Sequence, residues 1–465
     1  MSNSTPSLSD KDFLIAFGLD YVNCQSIDIS HDDDSIIVHL TLSPRAHLCP
    51  VCSTSTSKIK GYSLRKIKHS VLHPLPCIIH YRARRYVCPV CAKTFFEHNP
   101  FISGNLKVSV ATVYNVLKEL KRPENTFQSV ANTFHMSPSS VSNIFDKHIQ
   151  VGRLPLSDCI CFDEVYAFHS DTSDYVCVLL DYSSKNIIDL LPSRKKRFLS
   201  DYFYTIPLDE RKRVKYVSFD MWHTYRDITN VMLPNAKCIV DKFHVLQDLH
   251  RRVDRVRIDV MHHFNSIINQ LKQKKAILKQ NQQSLSPEEQ DLLQTADINY
   301  YLLKKFDYLL YKTKTLDPNA EKRLNRKLNR YLNQYDTYHL ILQIDPILKE
   351  AIEIKDDIHY FYRDNTYENA ESRLNELIIT CRTSNVASLQ KFSDTLTQWK
   401  SEIINSFIKI PSINKKMNNA LIENRNKSIK LIKHSSNGYT NWNRFRARVL
   451  YSLNDNIHMN QITDT

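Results

Sequence analysis

Two different apolar patterns follow each other along the chain after residue 155. Up to about residue 245, short apolar runs alternate with polar stretches, which predicts strands joined by turns and short helices. From there to about Ile410, apolar residues recur at steps of three and four, beginning with Phe243, Leu246 and Leu249, which predicts an almost wholly helical region. The strand-like runs are "CICF", "YVCVLLDY", "NIIDLLP", "VKYVSFDMW" and "AKCIVDKFHV", and the helix-like segments among them are "RKKRFLSDYFYTI" and "HTYRDITNVML".

Three of the strand-like runs end in carboxylates, and the last of them, "AKCIV", ends at Asp241. "CICF" leads into Asp163 and Glu164, and "VKYVSF" leads into Asp220. A carboxylate is costly to bury unless it is paired, hydrogen-bonded or bound to metal, although a strand end that meets solvent would also explain the pattern. The predicted order is three strands, a helix, a strand, a helix and a strand, which is the order of a ribonuclease-H-like fold. In that fold the first and fourth strands are neighbours. Asp163 and Asp220 are therefore expected side by side, an arrangement that suits Mg²⁺ because this ion prefers carboxylate oxygen.

A late helix carries a third candidate acid. The segment after Pro411 has an apolar face formed by Leu421, Ile422, Ile429 and Ile432, which predicts a helix. Glu423 lies on it among basic side chains, namely Arg425, Lys427, Lys430 and Lys433.

The tetrapeptide "CPVC" occurs twice, at residues 49–52 and 88–91. Two Cys-x-x-Cys turns can supply four thiolates to one zinc ion, so Cys49, Cys52, Cys88 and Cys91 are the predicted ligands of a structural zinc. Unrelated turns or a redox motif are the alternatives, and the identity of the two tetrapeptides argues against both. Three residues between the two CPVC sequences could replace a ligand: His73, Cys77 and His80. Many basic residues also lie in this stretch, namely Lys58, Lys60, Arg65, Lys66, Lys68, Arg82, Arg84 and Arg85.

Residues 126–149 predict two helices joined by a short turn. Ser137 is a suitable N-cap and Pro138 suits the first position of the second helix. The turn position that glycine usually holds is His135, which tolerates a positive φ better than most residues do. A helix-turn-helix that binds DNA fits this pattern better than a plain helical hairpin, given the basic module before it. The residues expected to face the groove or its phosphates are Ser139, Ser140, Ser142 and Asn143.

Composition favours a nucleic-acid partner. The 465 residues carry a formal net charge of +14, with 42% hydrophobic and 24% charged residues, which suits a globular protein that binds a polyanion. No run approaches the roughly 18 apolar residues of a membrane span, and no signal peptide is evident. A cytoplasmic, nucleoid-associated protein with reduced core cysteines is therefore expected, without a membrane partner.

Four stretches make a family resemblance specific: "FDE", "SFDMWHTYRD", "PNAKCIVDKFHV" and "ALIENRNKSIKLIKHSSNGYTNWNRFRARVL". The chain resembles, from the zinc knuckles to about Leu450, the insertion-sequence transposases of the IS-L-three family, which have an Asp-Asp-Glu triad. The resemblance implies a ribonuclease-H-like core that a helical insertion interrupts before the third acid. It places the triad at Asp163, Asp220 and Glu423, with two Mg²⁺ or Mn²⁺ ions between them.

Neighbours of the triad have their own expected roles. Lys430, two helical turns beyond Glu423, could hold a phosphate. Asp241 and His244 are rival metal residues, ranked lower because a fifth strand lies further from the first. Glu164 is interpreted as a neighbour rather than a ligand.

The expected function is that of a DNA transposase. Such a protein would bind terminal inverted repeats and target DNA as a homodimer or higher oligomer, and it would catalyse metal-dependent cleavage and strand transfer. The alternatives are a DNA-binding regulator with an inactive core, and a metal-dependent nuclease without strand transfer.

The expected organisation is multidomain. The predicted units are an N-terminal segment (1–45), a zinc ribbon-like module (46–100), an all-α helix-turn-helix domain (104–150), an α/β ribonuclease-H-like core in two parts (155–245 and 411–452) and an all-α insertion (246–410).

Overall fold

The computed structural model describes residues 24–70, 75–102, 107–170, 173–312, 316–455 and 457. The strands of the region that contains both CPVC sequences are β1 (Cys24–His31), β2 (Ile36–Leu42), β3 (His47–Leu48), β4 (Ser55–Thr56), β5 (Ile59–Lys68), β6 (Cys77–Val87) and β7 (Thr94–Phe96). The first sheet has the strand order β1-β2-β6-β5, with β7 paired to β6, and β2 and β6 run parallel. The alternate side chains Ile79 and Tyr81 of β6 are buried in its core.

Three helices follow: α1 (Val110–Leu120), α2 (Phe127–Thr133) and α3 (Pro138–His148). The two helices predicted within residues 126–149 are α2 and α3. The side chain of Ser137 accepts a hydrogen bond from the Ser140 amide and so caps α3, as predicted. His135 lies in the turn with a φ of 51°, so the positive φ expected at this position is present.

The second sheet has the strand order β10-β9-β8-β11-β12. Its first three strands form an antiparallel meander, whereas β11 pairs in parallel with both β8 and β12. The first and fourth strands of the series are therefore neighbours, as the element order predicted. The elements are β8 (Cys159–Tyr166), β9 (Tyr175–Asp181), β10 (Ile187–Leu191), α4 (Lys196–Tyr204), α5 (Leu208–Arg211), β11 (Tyr216–Phe219), α6 (His223–Met232) and β12 (Lys237–Val240).

Strand β8 is longer than the sequence predicted. It does not end at Asp163 but continues to Tyr166, because β9 pairs with it from Ile160 to Tyr166. Asp163 therefore lies within a strand, where its backbone is paired with Val178. Side chains alternate along a strand, so Asp163 shares a face with Cys161 and Val165, and Glu164 points to the other face.

The predicted helical region begins directly after β12. Ser286 and Glu289 form a capping box at the start of the helix Pro287–Lys305. A small hairpin, which the pattern did not predict, interrupts the helices. The elements are α7 (Lys242–Gln280), α8 (Pro287–Lys305), a 3-10 helix (Asp307–Tyr311), the hairpin β13 (Arg323–Asn325) and β14 (Arg330–Leu332), α9 (Gln334–Leu342), α10 (Pro346–Asp364), α11 (Tyr367–Thr383), α12 (Ala387–Gln398) and α13 (Lys400–Asn405).

The chain then returns to the second sheet. A two-stranded hairpin, β15 (Lys409–Ile410) and β16 (Lys415–Lys416), precedes α14 (Ala420–Ser435) and α15 (Trp442–Leu453). Ile422 and Ile429 of α14 are buried in one core cluster with Cys161 and Val165 of β8. Helix α14 therefore covers the face of the sheet to which Asp163 points.

Helix α15 joins the second sheet to helices α1–α3. Phe445 is buried in the core that α14 shares with the sheet, and the Tyr451 hydroxyl donates to the Leu117 carbonyl of α1 over 2.9 Å. The buried Arg448 guanidinium donates to the carbonyls of Arg122 and Asn125, each over 2.8 Å. Burial lowers the pKa of Arg448 to about 10. Within the described parts of the chain, no helix is both long enough and apolar enough to span a membrane.

Replacing Arg448 by Met should lower the free energy of unfolding by about 2 to 4 kcal/mol, because two buried carbonyls lose their donor. Urea unfolding followed by fluorescence measures the loss. Arg444→Met is the matched control on the same helix, since Arg444 makes a half-exposed ion pair with Asp146 that is worth about 1 kcal/mol or less. Equal losses in the two variants would contradict a joining role for Arg448.

Candidate functional site

Asp163 is held by two hydrogen bonds at the centre of the second sheet. Its Oδ1 accepts from the Glu164 amide over 2.7 Å, and its Oδ2 accepts from Nδ2 of Asn426 over 2.7 Å. Burial and then the negative charge of Asp220 raise the pKa of Asp163 to about 7. The carboxyl is therefore partly protonated near neutral pH unless a nearby cation favours its charged form.

Asp220 follows β11 directly and lies level with Asp163. The register pairs Ser218 with Cys161, and the two acids come two residues later on these parallel strands. Oδ1 of Asp220 is 2.7 Å from Nε2 of His244, and it also accepts from Nδ2 of Asn419 over 2.9 Å. Burial would lower the pKa of His244, but the hydrogen bond and charge of Asp220 outweigh it, so that this pKa is raised.

Glu423 lies in the first turn of α14, close to the start of α7. Potential ligand atoms of Asp241, His244 and Glu423 all lie within 4.8 Å of one another. Asp241 caps α7 by accepting from the Phe243 amide over 3.2 Å. Asp241 and His244 were ranked low as metal ligands because β12 is not adjacent to β8. His244 nevertheless lies beside Asp220, because α7 starts where β12 ends, next to β11.

Two asparagines join the acids, and sequence reasoning missed both. The buried Asn419 accepts from the Ser218 hydroxyl over 2.8 Å, donates its Nδ2 to Asp220, and donates its backbone amide to Asp241 over 3.2 Å. Asn426 donates to Asp163, and its buried Oδ1 has no hydrogen-bond partner within the described residues. A helical signal existed, because Asn419 and Asn426 are four residues before and three residues after Glu423.

This donor set fits a hard divalent cation. Carboxylate and amide oxygens are the ligands that Mg²⁺ and Mn²⁺ prefer, and a single imidazole is compatible with Mn²⁺. Oδ1 of Asn426, which has no partner among the described residues, and the partly buried carboxyl group of Asp163 both offer oxygen atoms to a cation. Asp163, Asp220, Asp241, His244 and Glu423 are the residues that could hold one or two ions.

The four cysteine sulfurs form a second potential metal site. The Sγ atoms of Cys49 and Cys91 are 3.5 Å apart, and Sγ of Cys52 lies 3.4 Å from that of Cys88 and 3.5 Å from that of Cys91. A tetrahedral zinc with bonds of 2.3 Å would separate its sulfurs by about 3.8 Å, so the cluster fits zinc closely. Hydrogen bonds from Thr54 lower the pKa of Cys52 to about 6. At Cys91 a hydrogen bond from the Lys93 backbone lowers the pKa, but desolvation and the three neighbouring cysteines outweigh it and raise this pKa, so the thiols titrate as one set.

Two of the three alternative ligands, Cys77 and His80, lie outside this cluster. Cys77 is buried among the side chains of the first sheet, and burial raises its pKa to about 11. His80 packs edge-on against His39 instead. His73 lies outside the described residues.

The predicted DNA-contacting residues occupy exposed or half-exposed positions. Ser139 and Asn143 are exposed on α3, and Ser140 and Ser142 are half-buried. Hydroxyls of Ser139 and Ser140 contact the Ser137 hydroxyl at the start of the helix. Lys430 is exposed on α14, seven residues after Glu423.

Comparisons with known proteins agree with this arrangement. Residues 160–449 match the ISL3-type DDE family model, described as a transposase. Residues 45–91 match the model described as the zinc-finger of transposase IS204/IS1001/IS1096/IS1165. The transposase for insertion sequence element IS1001 from Bordetella parapertussis is 20% identical over 423 residues, which cover 89% of this chain and 91% of that protein.

Metal analysis of the purified chain should find about one zinc per molecule, because four thiolates complete a tetrahedral site. Cys88→Ser removes one ligand and should lose most of that zinc. Cys77→Ala is the matched control, since this thiol lies between the same CPVC pairs but outside the cluster, and it should retain the metal. Unchanged zinc content in Cys88→Ser would contradict the four-cysteine site.

Proposed function

The chain belongs to the ISL3 family of insertion-sequence transposases, and we propose on this premise that it cuts and rejoins DNA at the ends of its insertion sequence. The observation that carries the proposal is that Asp163 and Asp220 lie level on adjacent strands of the second sheet, while the segment that carries Glu423 contacts both of them through Asn426 and Asn419. The strand order of this sheet supports a ribonuclease-H-like core in which these three acids are the catalytic residues.

The side chains around the triad hold charge in fixed positions. Bound Mg²⁺ or Mn²⁺ would supply activation of the attacking oxygen and stabilisation of the leaving oxygen of a phosphodiester. Asn419 and His244 orient Asp220, and Asn426 orients Asp163. Because these partners are neutral or cationic, they reduce the repulsion between the acids without neutralising them, as a pre-organised site requires.

DNA binding is assigned to surfaces outside the triad. We infer that α2 and α3 form a helix-turn-helix and that Ser139, Ser140, Ser142 and Asn143 contact the terminal repeats. The basic module around the zinc adds phosphate contacts, as the net charge of +14 suggests. Lys430 lies about 10 Å along α14 from Glu423, a distance that suits a phosphate near the cut.

Assembly and location follow from the same proposal. Two DNA ends must be brought together for strand transfer, so a homodimer or higher oligomer on double-stranded DNA is expected. Acting on the terminal repeats and on target DNA would place the protein at the nucleoid.

Three substitutions test the triad: Asp163→Asn, Asp220→Asn and Glu423→Gln. Each should lower the single-turnover cleavage rate of labelled end DNA in Mg²⁺ by roughly 100-fold or more, because each removes a charge that positions the cation. Binding of end DNA should survive. Asp181→Asn is the matched control, since this acid lies at the opposite end of the same sheet and should leave cleavage near normal.

Asp241→Asn separates the two possible sets of acids. Near-normal cleavage by a folded Asp220→Asn variant, together with an inactive Asp241→Asn variant, would move the second catalytic acid to Asp241. Normal cleavage by all the triad variants would contradict the assignment of these acids. Binding of end DNA without any cleavage by the unaltered protein would instead favour a DNA-binding regulator with an inactive core.

Asn143→Ala should weaken binding to terminal-repeat DNA by roughly 5- to 100-fold, with little change in binding to unrelated DNA, because a base contact carries sequence preference. Lys147→Ala on the same helix is the comparison: losing an exposed cation should weaken both kinds of binding alike and reduce their salt dependence. Titrations at two salt concentrations measure both effects. A parallel loss on both DNAs in Asn143→Ala would show that α3 does not read the sequence.

A further inference from the structure

A row of alternating cationic and aromatic side chains lies beside the acids. Nζ of Lys433 is 4.5 Å from the ring centre of Tyr166, and the rings of Tyr166 and Tyr175 meet edge to face at 5.5 Å. The guanidinium of Arg194 lies over both Tyr175, at 4.3 Å, and Trp222, at 4.9 Å. These five residues are called the stacked row below.

Sheet topology places the stacked row at the same end of the sheet as the acids. Tyr166 ends β8 and is the cross-strand partner of Tyr175, which begins β9. Arg194 follows β10 and Trp222 follows β11, and both strands run in the direction of β8. Tyr166 is three residues beyond Asp163, and Trp222 is two residues beyond Asp220. Tyr166 shares the face of Glu164 rather than that of Asp163, and Lys433 contacts it from the helix that covers the Asp163 face, so the row wraps around this end of the sheet. A DNA strand that crosses this end to reach the acids passes the row.

Arg194 is fixed in position before any ligand arrives. Its Nη1 lies 2.6 Å from Oε1 of Glu164, whose Oε2 accepts from the Tyr225 hydroxyl over 3.1 Å. Glu164 is thus a neighbour of the triad that serves this side of the sheet. The ion pair holds the guanidinium plane between two aromatic rings, so a ligand would meet a preformed surface.

The aromatic surface is open to a ligand. Tyr166 is 45% exposed and Tyr175 is 38% exposed, so part of each ring is accessible. A surface of aromatic rings and cations is suited to binding single-stranded nucleic acid. Bases stack on the rings and on the guanidinium plane, and phosphates approach the cations. Phosphate binding alone would need only Arg194 and Lys433, and it would leave the two exposed tyrosines unexplained.

We propose that the stacked row binds the face of an unstacked DNA base next to the scissile phosphate. The inference rests on the proposed function and adds a base-binding site to it. Bases within a duplex have both faces covered, so the ligand is a base that has left the stack or one exposed at the DNA end. Stacking on one aromatic residue contributes about 1–3 kcal/mol per base.

A double-mutant cycle between protein and DNA tests the proposal. End DNA is made with one abasic position at a time on each side of the cut, and single-turnover cleavage is compared with that of intact ends. One abasic position should slow the unaltered protein by roughly 5- to 100-fold. Tyr175→Ala should slow cleavage of intact DNA by a similar factor, and the two changes together should cost no more than either alone. Tyr175→Phe keeps the ring and should regain the abasic penalty.

A second readout does not depend on cleavage. With Asp163→Asn protein, 2-aminopurine at the identified position should change its fluorescence on binding, and Tyr175→Ala should remove that change. Tyr204→Ala, which removes an exposed tyrosine at the end of α4, is the control and should behave like the parent. Cleavage that is indifferent to every abasic position, or penalties that simply multiply, would overturn the base site alone. Failure of the unaltered protein both to bind and to cut end DNA would overturn the proposed function as well.

Discussion

Repulsion between Asp163 within β8 and Asp220 directly after β11 is the constraint that the surrounding structure satisfies. Asp163 and Asp220 lie level on adjacent strands, and the pKa of Asp163 is raised to about 7 by burial and by this neighbour. Asn419 donates to Asp220 and to Asp241, His244 donates to Asp220 when protonated, and Asn426 donates to Asp163. Amides and an imidazole thus hold the acids together while leaving them charge that a cation can balance.

Acids far apart in sequence meet because the long helical region leaves the sheet and returns to it. Helix α7 begins at the site, where Asp241 is its cap, and runs for 39 residues. At the far end of this region, Asn405 donates to the Cys238 carbonyl of β12 over 2.9 Å, so the chain returns beside the strand it left. Helix α14 then crosses the sheet with Glu423 in its first turn. Helix α15 continues onto α1–α3, which couples the proposed DNA-binding helices to the acids.

Local patterns predicted most elements of the fold, whereas contacts between elements decided the site. Apolar runs predicted the strands, and the repeated CPVC predicted the cysteine cluster because its spacing is local. The continuation of β8 past Asp163 depends on pairing with β9, which no single-strand pattern contains. His244 was ranked low by counting strands, a measure that ignores how far the first turn of a helix reaches. Asn419 and Asn426 have helical spacing from Glu423, but their partners lie about 180 to 260 residues away, so the spacing alone could not assign them a role.

Anomalous diffraction from crystals of the chain with Mn²⁺ and end DNA would test the central claim most directly, because it locates the ion among the candidate ligands. A Mn²⁺ peak contacted by Asp163, Asp220 and Glu423 is the predicted result, with or without a second ion near Asp241 and His244. Mn²⁺ bound only by Asp241, His244 and Glu423, with Asp163 remote from every ion, would contradict the account, as would crystals without Mn²⁺ at this end of the sheet.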